Sequence, residues 1–144
     1  CDRHAPECQI VGGDLASGEQ IVIAIAAHGD LDSRQPILRS TAEVGDLIVI
    51  AGTLGKAACG LALLSSNDES LSASYPDIVS IQLRPVPDFA LGLELAAVAS
   101  SMLDVSDGLS LDAGRLASSS NVSMNIKKEL LEGYAAILEQ AAQS

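Results

Sequence analysis

Asp104, Ser106 and Asp107 crowd a single joint in MLDVSDGLSLDAG, residues 102–114. Leu103 and Val105 read as the end of a buried strand; Leu109, Leu111 and Leu116 read as the inner side of a helix over 108–119. A turn between them needs one capping residue, yet this one carries three oxygen-bearing side chains and a glycine. Magnesium takes hard oxygen ligands, keeps several waters, and needs only one or two carboxylates beside phosphate oxygens. Two aspartates three residues apart, where strand gives way to helix, can turn toward one spot. The helix N-terminus behind them offers free N–H groups to a phosphate. The plainer account makes Asp107 the helix N-cap and Ser106 an ordinary turn residue. It leaves Asp104 unexplained, because a buried strand end is a costly place for an unpaired carboxylate.

Other candidates are weaker. Gly12-Gly13-Asp14 repeats the arrangement of strand, permissive glycines and one carboxylate, and it reads equally as a tight turn. Gly52-Thr53-Leu54-Gly55-Lys56 fails as a phosphate-binding P-loop: four residues must separate the glycines, and Ser or Thr must follow the lysine, where Ala57 stands. Its small residues suit close packing of a helix on a strand. Arg39, on a loop before a core strand, can fork onto phosphate oxygens. His28 reads as a strand-end residue, and no Ser-His-Asp or Cys-His arrangement is visible.

The elements that must hold these residues follow from hydrophobic pattern. Strands are predicted over 8–12, 20–27, 47–52, 101–105 and 122–126. Helices are predicted over 55–65 (with Ala58, Leu61, Ala62 and Leu64 inward), 76–83, 88–100 (Leu91, Leu95 and Val98 on one side), 108–119, and from about 128. SSNDESLSAS, 65–74, reads as a solvated loop, and the proline-bearing segment 30–36 as an interdomain linker. Strand and helix alternate from 47 onward, so α/β layering is expected there.

Composition narrows the function classes. The chain has 144 residues, 48% of them hydrophobic, with no Trp and one Phe, so any core is aliphatic. A formal net charge of -11 repels polyanions and argues against nucleic-acid binding, although a phosphorylated ligand is compatible if metal ions intervene. No apolar run approaches the ~20 residues of a membrane span. The three cysteines form no C-x-x-C pair or disulfide framework and read as reduced thiols of a cytoplasmic protein. The first residue is not Met, and CDRHAPECQIVGGD reads like a helix tail running into a strand. The chain therefore reads as a segment of a longer protein.

In order, the stretches VGGDLASG (11–18), LRSTAEVGDLIVIAGTLGKAACGLALL (38–64), LRPVPDFALG (83–92) and MLDVSDGLSLDAGRLASSSNV (102–122) resemble the thiamine-monophosphate kinase family. That family belongs to the superfamily of aminoimidazole ribonucleotide synthetase and selenophosphate synthetase. The resemblance implies a two-domain α/β (α+β) synthetase-like fold. Residues 1–30 would end the N-terminal nucleotide- and metal-binding domain, 31–36 would link, and 37–144 would begin the C-terminal domain. It implies ATP- and Mg²⁺-dependent phosphorylation of thiamine monophosphate to thiamine diphosphate, commonly by a homodimer. It assigns Asp14, Asp104 and Asp107 as Mg²⁺ ligands, and Gly13, Asp14, Arg39 and Ser106 as nucleotide contacts; no covalent enzyme nucleophile is implied. Leu15 and Ala16 depart from the threonines usual after GGD, and Lys56 stands where an acidic residue is common. About 500° of helical turn separates Asp112 from Asp107, which places Asp112 on another face, behind the ligands or on the surface. Alternative readings are another ATP-dependent synthetase of the superfamily, or a non-catalytic truncated remnant that dimerises. These residues alone are expected to be inactive as a kinase.

Overall fold

The computed structural model describes residues 8–66 and 68–132. The chain divides into two compact units, Cys1–Pro36 and Ile37–Ser144. The helix tail expected at the N-terminus and most of the helix expected after 128 lie outside the described residues.

In the first unit, the described residues form neither helix nor strand. Ile21, Ile23 and Ile25 are 94%, 80% and 88% exposed. The predicted strands over 8–12 and 20–27 are therefore not formed. A β-branched run favours extended backbone locally, but a strand exists only through hydrogen bonds to a second segment. A turn closes the unit: Arg34 N–H donates to Leu31 O at 2.9 Å, and Asp30 Oδ1 accepts from Asp32 N–H at 2.8 Å.

The second unit is helical. Helix α1 is Lys56–Ser65, α2 Glu69–Ser74, α3 Pro76–Leu83, α4 Phe89–Ala96 and α5 Leu109–Ser120, followed by a 3-10 turn at Lys128–Leu131. Local chemistry sets their ends. Asp68 caps α2 by accepting from Ser70 N–H, and Asp88 caps α4 by accepting from Leu91 N–H. Pro76 starts α3, where its missing N–H costs nothing, and Arg84 ends it one residue before Pro85. Asn121, left-handed at φ 54°, stops α5, and Val122 N–H donates to Ala117 O at 3.0 Å.

The stretch 65–74, expected as a solvated loop, thus carries α2: the Asp68 cap offsets the cost of starting so short a helix. Among the described residues no strand forms at 47–52, 101–105 or 122–126 either. Of the expected α/β layering, only the helical part is present.

Helices α1, α2 and α3 pack on one another around Leu63 and Ile78, with Cys59, Leu71, Tyr75 and Val79 against them. Leu61 and Leu64, expected inward, face outward at 52% and 41% exposure. Gly60 decides this. A Cβ there would lie 2.6 Å from the carbonyl oxygen of Ile78, so α1 turns its glycine face onto α3. The close packing expected between helix and strand is packing of helix on helix. In α4, Leu91 and Leu95 are half-buried, while Val98 lies beyond the helix and is 84% exposed.

Candidate functional site: the aspartate turn and its groove

Helix α5 begins at a glycine, not at an aspartate. Gly108 occupies the N-cap position at φ 107° and ψ 151°, a region essentially restricted to glycine, and no side chain caps the helix. Asp107 is consequently released from the capping role that the plainer account gave it. Its carboxylate instead meets Arg115, with Nη1 donating to Oδ2 at 2.5 Å. Asp104 is exposed and makes no hydrogen bond or ion pair among the described residues.

The turn itself is shaped by a residue of the helix that follows it. Asp112 sits in the first turn of α5 and is only 3% exposed. Helical side chains lean toward the N-terminus, and Asp112 leans back over the turn. Its Oδ2 accepts from Ser106 N–H at 3.0 Å and from Asp107 N–H at 2.9 Å. Its Oδ1 accepts from the same Arg115 Nη1 at 2.7 Å. The N–H of Asp107 holds the Asp112 carboxyl below the usual carboxylate range; burial opposes this, and Arg115 and the N–H of Ser106 assist. Arg115 is pushed up in turn, first by Asp107 and then by Asp112. The helical-wheel angle from Asp107 does not apply, because Asp107 precedes the helix and the wheel starts only at Leu109; of the two places expected for Asp112, it takes the buried one behind the turn and not the surface. The legible signal was the spacing of Asp112 and Arg115, three residues apart on one helix.

Arg39 joins this site through serine hydrogen bonds. Ser120 Oγ, at the end of α5, donates to Arg39 O at 3.0 Å and accepts from Ala42 N–H at 3.1 Å. Thr41 Oγ1 donates to Ser100 O at 2.6 Å, and Ser101 Oγ to Leu38 O at 2.8 Å. The loop 38–42 is thereby fastened to the end of α5 and to residues 100–101. Arg39 and Asp107 consequently line one open groove of about 810 Å³, with Arg115 and Ser118. Lys56 lines a separate, smaller groove beside the start of α3.

Of the expected site residues, the second unit thus brings Arg39 and Asp107 to one groove, with Ser106 beside Asp107 in the turn and Asp104 just before it. Gly13 and Asp14 belong to the first unit. Neither Gly12 nor Gly13 takes a left-handed φ, and Asp14 Oδ1 accepts from Leu15 N–H at 2.9 Å.

Asp104 and Asp107 are the carboxylates this turn could offer a hard cation. Asp107 already neutralises one positive charge, that of Arg115, and Asp104 is an unengaged carboxylate. Among the described residues no three His, Cys, Asp or Glu side chains converge as a complete metal site.

Comparison with known proteins bears on the same stretch. The chain is 39% identical over 134 residues to the thiamine-monophosphate kinase of Mycobacterium tuberculosis strain H37Rv, covering 92% of this chain and 39% of that protein. It is 33% identical over 126 residues to the thiamine-monophosphate kinase of Escherichia coli K12, covering 87% and 38%. Over about nine tenths of its length the chain is similar to thiamine-monophosphate kinases. It spans about two fifths of the length of these relatives. No family model matches the chain, and no solved structure matches it. Among the described residues, no helix is long and apolar enough to cross a membrane.

Proposed function

We propose that this chain forms part of an ATP- and Mg²⁺-dependent kinase that converts thiamine monophosphate to thiamine diphosphate. The observation that carries the reading is the single groove lined by Arg39 and Asp107, within a stretch homologous to thiamine-monophosphate kinases. In the reaction, an oxygen of the substrate phosphate attacks the γ-phosphorus of ATP, and the bond from that phosphorus to the bridging oxygen breaks, releasing ADP. Bound Mg²⁺ supplies charge neutralisation on the phosphates. Asp104 and Asp107 would hold it; Asp14 is proposed separately as a Mg²⁺ ligand of the first unit. Arg39 takes phosphate oxygens in a forked, charge-assisted contact. Ser106 would contact the nucleotide from the turn; Gly13 is proposed as a nucleotide contact of the first unit. No side chain need become covalently attached, and catalysis rests on holding donor and acceptor in line.

The whole protein, in this reading, has the two-domain synthetase-like fold and acts as a cytoplasmic homodimer. The test is an assay of the protein carrying this chain with ATP, Mg²⁺ and thiamine monophosphate, following thiamine diphosphate directly. Formation of thiamine diphosphate and ADP in equal amounts, abolished by chelation, is expected. ATP hydrolysis without thiamine diphosphate would overturn the assignment.

A further inference from the structure

The buried carboxylate of Asp112 has no part in the chemistry just described, although it organises the residues that do. Its Oδ2 takes two backbone N–H groups and its Oδ1 takes Arg115. Among the described residues no buried side-chain nitrogen or oxygen lacks a partner. Asp112 therefore has its acceptor capacity committed within the protein, and fixing the backbone of Ser106 and Asp107 fixes where the Asp107 side chain sets out. Arg115, by contrast, has a side chain 44% exposed and spans both carboxylates with a single nitrogen. A divalent ion taken by Asp107 would compete with Arg115 for the carboxylate that its Nη1 now pairs through Oδ2. Two positive charges sharing one carboxylate repel, which favours withdrawal of the guanidinium. Asp112 offers it a second anchor on the same helix.

We propose that Asp112 and Arg115 form a latch that sets the cation affinity of the aspartate turn. Asp112 is a positioning residue, and Arg115 is a resident counter-ion that a divalent cation displaces from Asp107. The proposal rests on the cation-site reading above and adds two residues that are not metal ligands in it.

The two halves predict opposite signs. Asp112→Asn can keep an acceptor for the turn but cannot hold the guanidinium, which then pairs with Asp107 alone. Arg115→Gln removes the competitor. The probe is Mn²⁺ alone, titrated into the protein carrying this chain and followed by the electron paramagnetic resonance of free Mn²⁺. Asp112→Asn is expected to weaken Mn²⁺ binding by about tenfold or more, the scale of outer-sphere partners of metal ligands. Arg115→Gln is expected to strengthen it by up to about fivefold, the worth of an exposed ion pair. A merely structural pair would lower the melting temperature in both variants and leave affinity unchanged or weaker in both. That result overturns the latch. Should Asp112→Asn fail to fold, the sign for Arg115→Gln alone decides, and weaker or equal binding overturns the proposal. Absence of Mn²⁺ binding by the unsubstituted protein overturns the underlying cation site instead.

Discussion

Replacing Gly60 by alanine should destabilise the protein, although alanine is the better helix former. Helix propensity alone favours Gly60→Ala by ~1 kcal/mol. Against that, the new Cβ would lie 2.6 Å from Ile78 O, 2.9 Å from Gln82 Cβ and 3.2 Å from Ile78 C. Two of these atoms are α3 backbone and cannot rotate away, so α1 and α3 must part by about 0.8 Å at that point to restore ordinary contact. A gap of ~0.5–1 Å forfeits a quarter to a half of each dispersion contact it opens. The contact opened is the one between Leu63 and Ile78, 5% and 8% exposed, at the centre of the helical cluster. Overpacking of this kind costs ~1–3 kcal/mol. The net expectation is a loss of about 1 kcal/mol, after subtracting the propensity gain. Urea denaturation followed by circular dichroism measures it. Gly92→Ala is the control, because a Cβ in that α4 position meets nothing within 4 Å. It should raise stability by ~0.4–1 kcal/mol. If Gly60→Ala stabilises as much as Gly92→Ala, the close approach of α1 and α3 is wrong.

Two further outcomes follow from the loop that carries Arg39. Ser120→Ala deletes one hydrogen bond to Arg39 O and one from Ala42 N–H; at ~1 kcal/mol each, it should lower stability by about 1–2 kcal/mol. It should also raise KM for ATP more than it lowers kcat, measured by initial rates at varied ATP. Asp46 accepts from Glu43 N–H at 2.8 Å and from Ser100 Oγ at 2.6 Å, and these bonds hold its carboxyl below the ordinary value of 3.8. A carboxyl depressed on folding stabilises above its unfolded pKa and loses that contribution as pH falls through the folded one. Unfolding midpoints should therefore fall below about pH 3.8 less steeply in Asp46→Asn than in the unsubstituted protein. Parallel curves would dismiss the Asp46 clasp.

The helices were legible because their determinants are local. Asp88, Pro76, Asn121 and the glycine at 108 mark starts and stops within a few residues of the elements they bound. Short polar α2 was not legible, since SSNDESLSAS has no apolar stripe and its one helical signal, the Asp68 cap, looks like a loop aspartate. Strand patterns at 20–27 and 47–52 report only a preference for extended backbone, and the ladder depends on a distant segment that no local pattern names. At the site, the oxygen-rich turn and Arg39 stood out by residue type. What the sequence hid was the long-range hydrogen bonding from Ser120 that brings Arg39 to the groove, and the backward lean of Asp112.

Asp107→Asn tests the central claim most directly. Asp107 is not the cap of α5, and its side chain engages only Arg115 among the described residues. Asparagine keeps the shape of the side chain and removes the charge, so the melting temperature should scarcely move. Mg²⁺-dependent formation of thiamine diphosphate in the protein carrying this chain should fall on the order of a hundredfold or more, as misplaced phosphoryl groups do. Turnover near that of the unsubstituted protein, with the melting temperature unchanged, would contradict the placement of the metal-assisted phosphoryl transfer at this turn.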